Sequence, residues 1–245
     1  MSTAKNIQEI SVGDRIEAKR ANWTFSGEVA QTFDDHVSKS VPLYHQGHTL
    51  VCELSDFFLK PVSLCYEIGS STGTLTNKLA QHNAGKDGVR FIGMDIEPDM
   101  VAMAEKSDEK SDNTTYIVDD ILQMDMEPCD LIVCYYTVQF IRPSERQRLI
   151  DKLYAHLNWG GGLIMFEKVR GADARFQDMF YRMYEDYKLS QGYTPEQVVA
   201  KARSLKGVME PFSTQGNIDM LKRAGFEDIV SIMKYICFEG FVAIK

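Results

Sequence analysis

The 245-residue chain has no Cys-x-x-Cys pair, and its five cysteines (Cys52, Cys65, Cys129, Cys134 and Cys237) are an odd number scattered along it. That spacing excludes a zinc ribbon and a disulfide framework, and it points to a reducing, cytoplasmic setting. Cys65, Cys134 and Cys237 fall inside apolar runs, where a thiol behaves as a small hydrophobe. No apolar run approaches the ~18 residues of a membrane span, and residues 1–11 lack a secretory h-region. Positive charge is also short. The 27 Lys and Arg stand against 35 Asp and Glu, a net charge of −8, which excludes tight holding of a phosphate backbone. No internal repeat or low-complexity stretch is present, and 17 glycines and seven prolines are too few for collagen-like classes. What remains is an ordinary globular composition, long enough for one large domain.

Short β-rich runs occur at residues 64–68, 89–95, 114–118, 131–135 and 163–166, and helical patterns at 74–82, 98–106 and 143–157 separate most of them. Such alternation predicts an α/β fold with a doubly wound, mostly parallel sheet covered on both faces. Leu131-Ile-Val-Cys134 and Leu163-Ile-Met-Phe166 are apolar throughout, as strands buried on two faces are. Pro143-Ser-Glu-Arg opens a helix, and Asn158-Trp-Gly-Gly-Gly162 is expected to close it through a left-handed glycine cap. Residues 22–59 read as an N-terminal helical segment, with Trp23, Phe25, Val29 and Phe33 at helical spacing. Residues 173–223 read as a helical insertion. The β-rich end, 228–245, breaks at Phe238-Glu-Gly240 and predicts an antiparallel hairpin, bringing the sheet to seven strands. Residues 1–245 are thus expected to be one domain.

The most informative stretch is Cys65-Tyr-Glu67-Ile-Gly69-Ser-Ser-Thr-Gly73, which joins the first β-run to a helix, where open α/β sheets bind ligands. Gly69 permits a sharp turn and Gly73 close packing of the next helix. A dinucleotide loop needs glycines at 69, 71 and 74, but Ser71 and Thr74 occupy the last two, and a P-loop's Gly-Lys-Ser/Thr is missing. A nucleoside ligand without phosphates fits this loop better, and S-adenosylmethionine (SAM) is such a ligand. Asp95 ends the second strand, placed to accept hydrogen bonds from both ribose hydroxyls. Asp120 follows the third, where a carboxylate can accept from the adenine amino group, and Glu67 can hold a water or the methionine ammonium. The plainer alternative is that Asp95 only caps the helix opening at Pro98.

Further stretches narrow the reading: Trp23-Thr-Phe25, Ser40-Val-Pro-Leu-Tyr44, Thr137-Val-Gln-Phe140 with Pro143-Ser-Glu-Arg-Gln147, and Gly192-Tyr193 followed by Arg203-Ser204. Through them the sequence, from about Trp23 to its end, resembles the carboxy-S-adenosyl-L-methionine (carboxy-SAM) synthase family of class I methyltransferase fold. The resemblance implies a homodimer in the tRNA wobble-uridine modification pathway that converts SAM to carboxy-SAM, with prephenate as carboxyl donor and phenylpyruvate as by-product. It also implies roles. Tyr44 helps enclose the ligand, and Gly69, Ser70 and Ser71 run along its methionine part. Asp95 and Ile96 bind the ribose, and Asp120 and Ile121 the adenine. Arg203 pairs with the added carboxylate from the neighbouring subunit. Three positions depart from the family: Tyr135 stands where it has asparagine, Glu67 where it usually has aspartate, and Ser70 where it usually has cysteine. Tyr135 therefore alters the pocket beside the transferable carbon.

Four functions compete. The first is a carboxy-SAM synthase in which Arg203 and Tyr135 serve the reaction. The second is a methyltransferase releasing S-adenosylhomocysteine, with Tyr135 or Tyr136 shaping the acceptor site. A SAM-binding sensor and a nicotinamide-dependent oxidoreductase rank behind them. His45-x-x-His48 lacks companion ligands, so no metal is expected. Phe176, Met179, Phe180, Met183, Tyr184 and Tyr187 form an apolar helix face, read as core packing, with a dimer interface as the alternative.

Overall fold

Strand pairing follows the apolar runs. In the computed structural model, which describes residues 10–14, 16–18, 21, 23–25 and 28–245, a short hairpin of β1 (Ile10–Ser11) and β2 (Glu17–Ala18) precedes α1 (Glu28–Ser40) and α2 (Tyr44–Ser55). The alternating core runs β3 (Leu64–Ile68), α3 (Thr74–His82), β4 (Arg90–Asp95), α4 (Pro98–Glu105), β5 (Thr114–Val118) and β6 (Cys129–Tyr135). A 3-10 turn at Val138–Phe140, α5 (Pro143–His156) and β7 (Leu157–Lys168) follow. Then come α6 (Ala174–Ser190), α7 (Pro195–Ser204), α8 (Thr214–Ala224), β8 (Asp228–Tyr235) and β9 (Phe238–Ile244). Most of the 1–11 segment, and Asn22, Ser26 and Gly27 of the 22–59 segment, lie outside the described residues.

The large sheet has seven strands in the order β5-β4-β3-β6-β7-β9-β8, parallel except that β9 runs antiparallel to both neighbours. This is the predicted doubly wound arrangement with its C-terminal antiparallel pair. Side chains alternate between two cores. Tyr66, Ile68, Ile132 and Cys134 face α5 and α8, while Cys65, Leu131 and Val133 face α2 and α3. All five cysteines are buried and free. The strand order reverses between β3 and β6, which opens a crevice at their carboxyl ends.

Four local readings are corrected. Helix α5 ends at His156 without a glycine cap, because Leu157 is already extended and pairs with Cys129; the Gly160 left-handed turn lies inside β7. Trp23 and Phe25 precede α1 and reach the core as an aromatic chain, with Phe25 edge-on to Phe140 at 5.0 Å. Phe238-Glu-Gly240 is not the hairpin break but continuous β9, paired with β7 and β8; the turn falls at Ile236 and Cys237. Finally, the apolar face of α6 divides. Phe180 and Tyr184 pack against the core, whereas Phe176, Met179 and Met183 are about half exposed.

Candidate functional site

At the carboxyl ends of β3, β4 and β6 lies a cavity of about 870 Å³, within the range of small-molecule sites. Its floor is the loop after β3. Gly69 has φ +75°, and the Gly69 and Ser70 amides both donate to the Met94 carbonyl, at 2.8 and 2.9 Å. Gly73, at φ +79°, begins α3 under the Tyr116 ring, leaving no room for a Cβ. The loop is fastened to β4 through Asp95. One carboxylate oxygen accepts the Ser71 amide at 2.9 Å and the other the Glu97 amide at 3.0 Å. Asp95 is therefore not the N-cap of α4, a place Glu97 takes.

Tyr44, Glu67, Gly69, Ser70 and Ser71 line the cavity, as do Asp95, Ile96, Asp120, Ile121 and Tyr135. Gly73 does not; it shapes the turn from behind. Asp120 accepts the Leu122 amide at 3.0 Å. Ser70 and Tyr136 also line it, and among the described residues the Ser70 Oγ and Tyr136 hydroxyl are buried without a hydrogen-bond partner, polar groups left unsatisfied at its wall. The Tyr44, Tyr135, Tyr136 and Phe140 rings also line it, an environment suited to a sulfonium cation. The residues present thus fit a nucleoside sulfonium.

Glu67 is buried at the end of β3, with the Thr76 hydroxyl donating to it. Desolvation, aided by the Asp95 charge, pushes its carboxyl up to about 8 from an ordinary 4.5. Between those values the folded chain holds a proton that the unfolded chain has lost, so Glu67 makes stability fall as pH rises from about 4.5 to about 8. Glu67→Gln is expected to flatten that decline and to raise Tm above the parent's at pH 8 and beyond. Thermal unfolding across pH checks it; parallel curves would place the Glu67 proton elsewhere.

Of the two expected catalytic residues, Tyr135 borders the cavity and Arg203 does not. Arg203 is on the exposed side of α7, outside this cavity, while its neighbours Lys201 and Ala202 line it. Tyr135 does border the space, but its hydroxyl donates to the Tyr44 carbonyl at 2.6 Å and is pressed on Gly47. Burial raises its pKa further. Tyr135 is thus a fixed wall, not a proton donor to a ligand.

Sequence reasoning missed Asp34, which accepts from the Thr72 and Thr74 hydroxyls at 3.0 and 3.1 Å, and the lysines Lys168, Lys188 and Lys201, all of which line the cavity. Lys168 carried a usable signal, since it stands at the carboxyl end of a strand like Glu67 and Asp95. The two helical lysines carried none.

Comparison with known proteins matches residues 66–161 to the methyltransferase domain family. The carboxy-SAM synthase of Staphylococcus epidermidis is 37% identical, covering 91% of this chain and 97% of that one. The chain belongs to the carboxy-SAM synthase family. The synthase of Campylobacter jejuni, 35% identical over 94% of this chain and 97% of its own, agrees. Among solved structures, human N-acetylserotonin methyltransferase in complex with SAM superposes with a TM-score of 0.61 at 17% identity, covering 88% of this chain and 54% of that one, which shows the class I methyltransferase fold. A carboxy-SAM synthase family member with this fold is a SAM-dependent transferase.

Proposed function

We propose that the chain makes carboxy-SAM, taking a carboxyl group from prephenate and releasing phenylpyruvate, in the cavity over β3, β4 and β6. The observation that carries this reading is the extent of the likeness. The match to the S. epidermidis synthase runs over 226 residues, well beyond the 66–161 methyltransferase core, and so includes helices that wall the cavity. Asp95 and Ile96 take the ribose, Asp120 and Ile121 the adenine, and Gly69, Ser70 and Ser71 the methionine part, with Glu67 near its ammonium. Tyr44 and Tyr135 enclose the sulfonium.

The donor loses carbon dioxide and its ring hydroxyl on becoming aromatic, that hydroxide takes a proton from the sulfonium methyl to give water, and the methyl carbon gains the carbon dioxide. The residues contribute alignment and exclusion of water. No side chain has to act as base, which accords with the Tyr135 hydroxyl being spent on Tyr44.

Residues 1–245 act as one SAM-binding domain in this reading, with small-molecule substrates. The setting is cytoplasmic, within tRNA wobble-uridine modification but without tight nucleic-acid binding. The five free buried cysteines and the net charge of −8 support that setting, and among the described residues no helix is long and apolar enough to cross a membrane. A homodimer is part of the proposal. Phe176, Met179 and Met183 expose one face of α6, and Arg203 lies outside its own cavity, as a residue serving a neighbouring subunit would.

Incubation with SAM and prephenate is expected to yield a nucleoside heavier than SAM by one carbon dioxide, read by mass spectrometry. SAM bound but unchanged overturns the reading. Methyl transfer to a small acceptor is the second reading, favoured by Tyr135 in place of the family's asparagine; S-adenosylhomocysteine as the only product decides for it.

A further inference from the structure

Three lysines meet in the wall of the cavity. Lys168 ends β7, Lys188 belongs to α6 and Lys201 to α7, and all three line the space. Lys188 and Lys201 are buried. Two of the ammonium groups meet the Tyr184 ring, Lys168 at 4.3 Å and Lys188 at 4.9 Å from its centroid. Lys201 lies over the Trp23 ring and 2.9 Å from His36 Nε2.

Among the described residues no carboxylate forms an ion pair with any of the three. Asp14, the nearest acid to influence Lys201, is taken up by His36 at 2.9 Å, Lys39 at 2.6 Å and the Tyr193 hydroxyl at 2.7 Å. Burial lowers all three ammonium pKa values, that of Lys188 to about 7, and the positive charges oppose one another along the wall.

A buried ammonium without a counter-ion is costly as a cation and gives up its proton more readily, and neighbouring lysines add to that cost. An anion arriving among these three would restore and balance their charge. The cluster is also set apart from Asp95 and Asp120, and Glu185, which shares its wall, is held by Arg182 at 3.0 Å. Lys168 ends β7, three strands across the sheet from Asp95 at the end of β4, a separation of about 14 Å at ordinary strand spacing. One end of the cavity carries Asp95 and Asp120 and suits a sulfonium nucleoside; the other carries the three lysines.

We propose that Lys168, Lys188 and Lys201 seat the second substrate, an organic dicarboxylate. The assignment rests on the function proposed above and deepens it, naming residues of this subunit that hold the carboxyl donor. Lysine suits the task because each ammonium is a mobile point charge, able to meet carboxylates at different places on one molecule.

The test uses protein loaded with S-adenosylhomocysteine, which has no methyl group to react. Calorimetric titration with prephenate is expected to show affinity reduced by roughly tenfold in Lys188→Met and in Lys168→Met, and largely kept in Lys188→Arg. Affinity for S-adenosylhomocysteine should stay within about twofold, which also shows that the variants are folded. Unchanged prephenate affinity in both methionine variants overturns the assignment. So does a parallel loss of nucleoside affinity, which would give the lysines to the methionine carboxylate. Succinate and inorganic phosphate separate the anion classes: displacement of prephenate by phosphate but not by succinate also overturns it. If the parent protein forms no carboxy-SAM yet binds succinate in a lysine-dependent way, the subsite stands and the proposed reaction fails.

Discussion

Asp95→Ala is expected to weaken SAM binding about a hundredfold, the scale of losing two charge-assisted hydrogen bonds to a ligand. The effect has two sources. The carboxylate that would accept the ribose hydroxyls is gone, and the Ser71 and Glu97 amides lose the acceptor that joins the β3 loop to β4. Asp95→Asn keeps an acceptor oxygen but loses the charge and is expected to fall between the parent and Asp95→Ala. Calorimetry with SAM, alongside thermal unfolding to register the loop's contribution, checks both. Unaltered affinity in Asp95→Ala would move the ribose out of this crevice.

The second large effect is conformational. Gly69→Ala puts a Cβ 2.5 Å from Thr137 Cγ2 and Oγ1 at a backbone φ of +75°. Thr137 cannot simply turn aside, because its hydroxyl donates to the Ile68 carbonyl at 2.8 Å. A left-handed alanine with an overpacked neighbour is expected to cost about 2–5 kcal/mol of stability and to displace the loop that borders the cavity. Gly85→Ala is the control, since a Cβ there meets nothing within 4 Å. Equal stability of the two variants, measured by denaturant unfolding, would refute the account of the loop.

Both predictions concern a region that could be read from sequence. The loop after the first β-run and the acids after the second and third stand in register along consecutive parallel strands, so strand order alone brings them together. Legibility failed where long-range packing decides. The run Phe238-Glu-Gly240 looks like a turn because a charged residue and a glycine interrupt apolar residues. Yet Glu239 is buried in β9, satisfied by Ser231, Thr214 and Lys234 from neighbouring elements that no local pattern announces. Asn158 to Gly162 resembles a helix terminator for similar local reasons, but pairing with Cys129 at the start of β6 draws Leu157 into extended backbone first. Lys188 and Lys201 have the spacing of solvated helix positions. Only the docking of α6 and α7 over the sheet turns them inward, while Arg203, two residues further on, stays outside. The class of ligand was therefore visible in local spacing, whereas the lysine-lined end of the cavity was not.

The chain's two tryptophans occupy contrasting places. Trp23 is buried against His36 and Lys201 in the cavity wall, while Trp159 is 89% exposed at the opposite end of the sheet, beside the turn where Gly160 meets Lys245. Their fluorescence separates accordingly. Acrylamide, an uncharged quencher, should quench the Trp159 indole and largely spare Trp23, leaving a blue-shifted signal whose intensity is expected to follow occupancy of the proposed lysine subsite. A Trp159→Phe protein would thus be an optical sensor of its own binding site, needing no added dye.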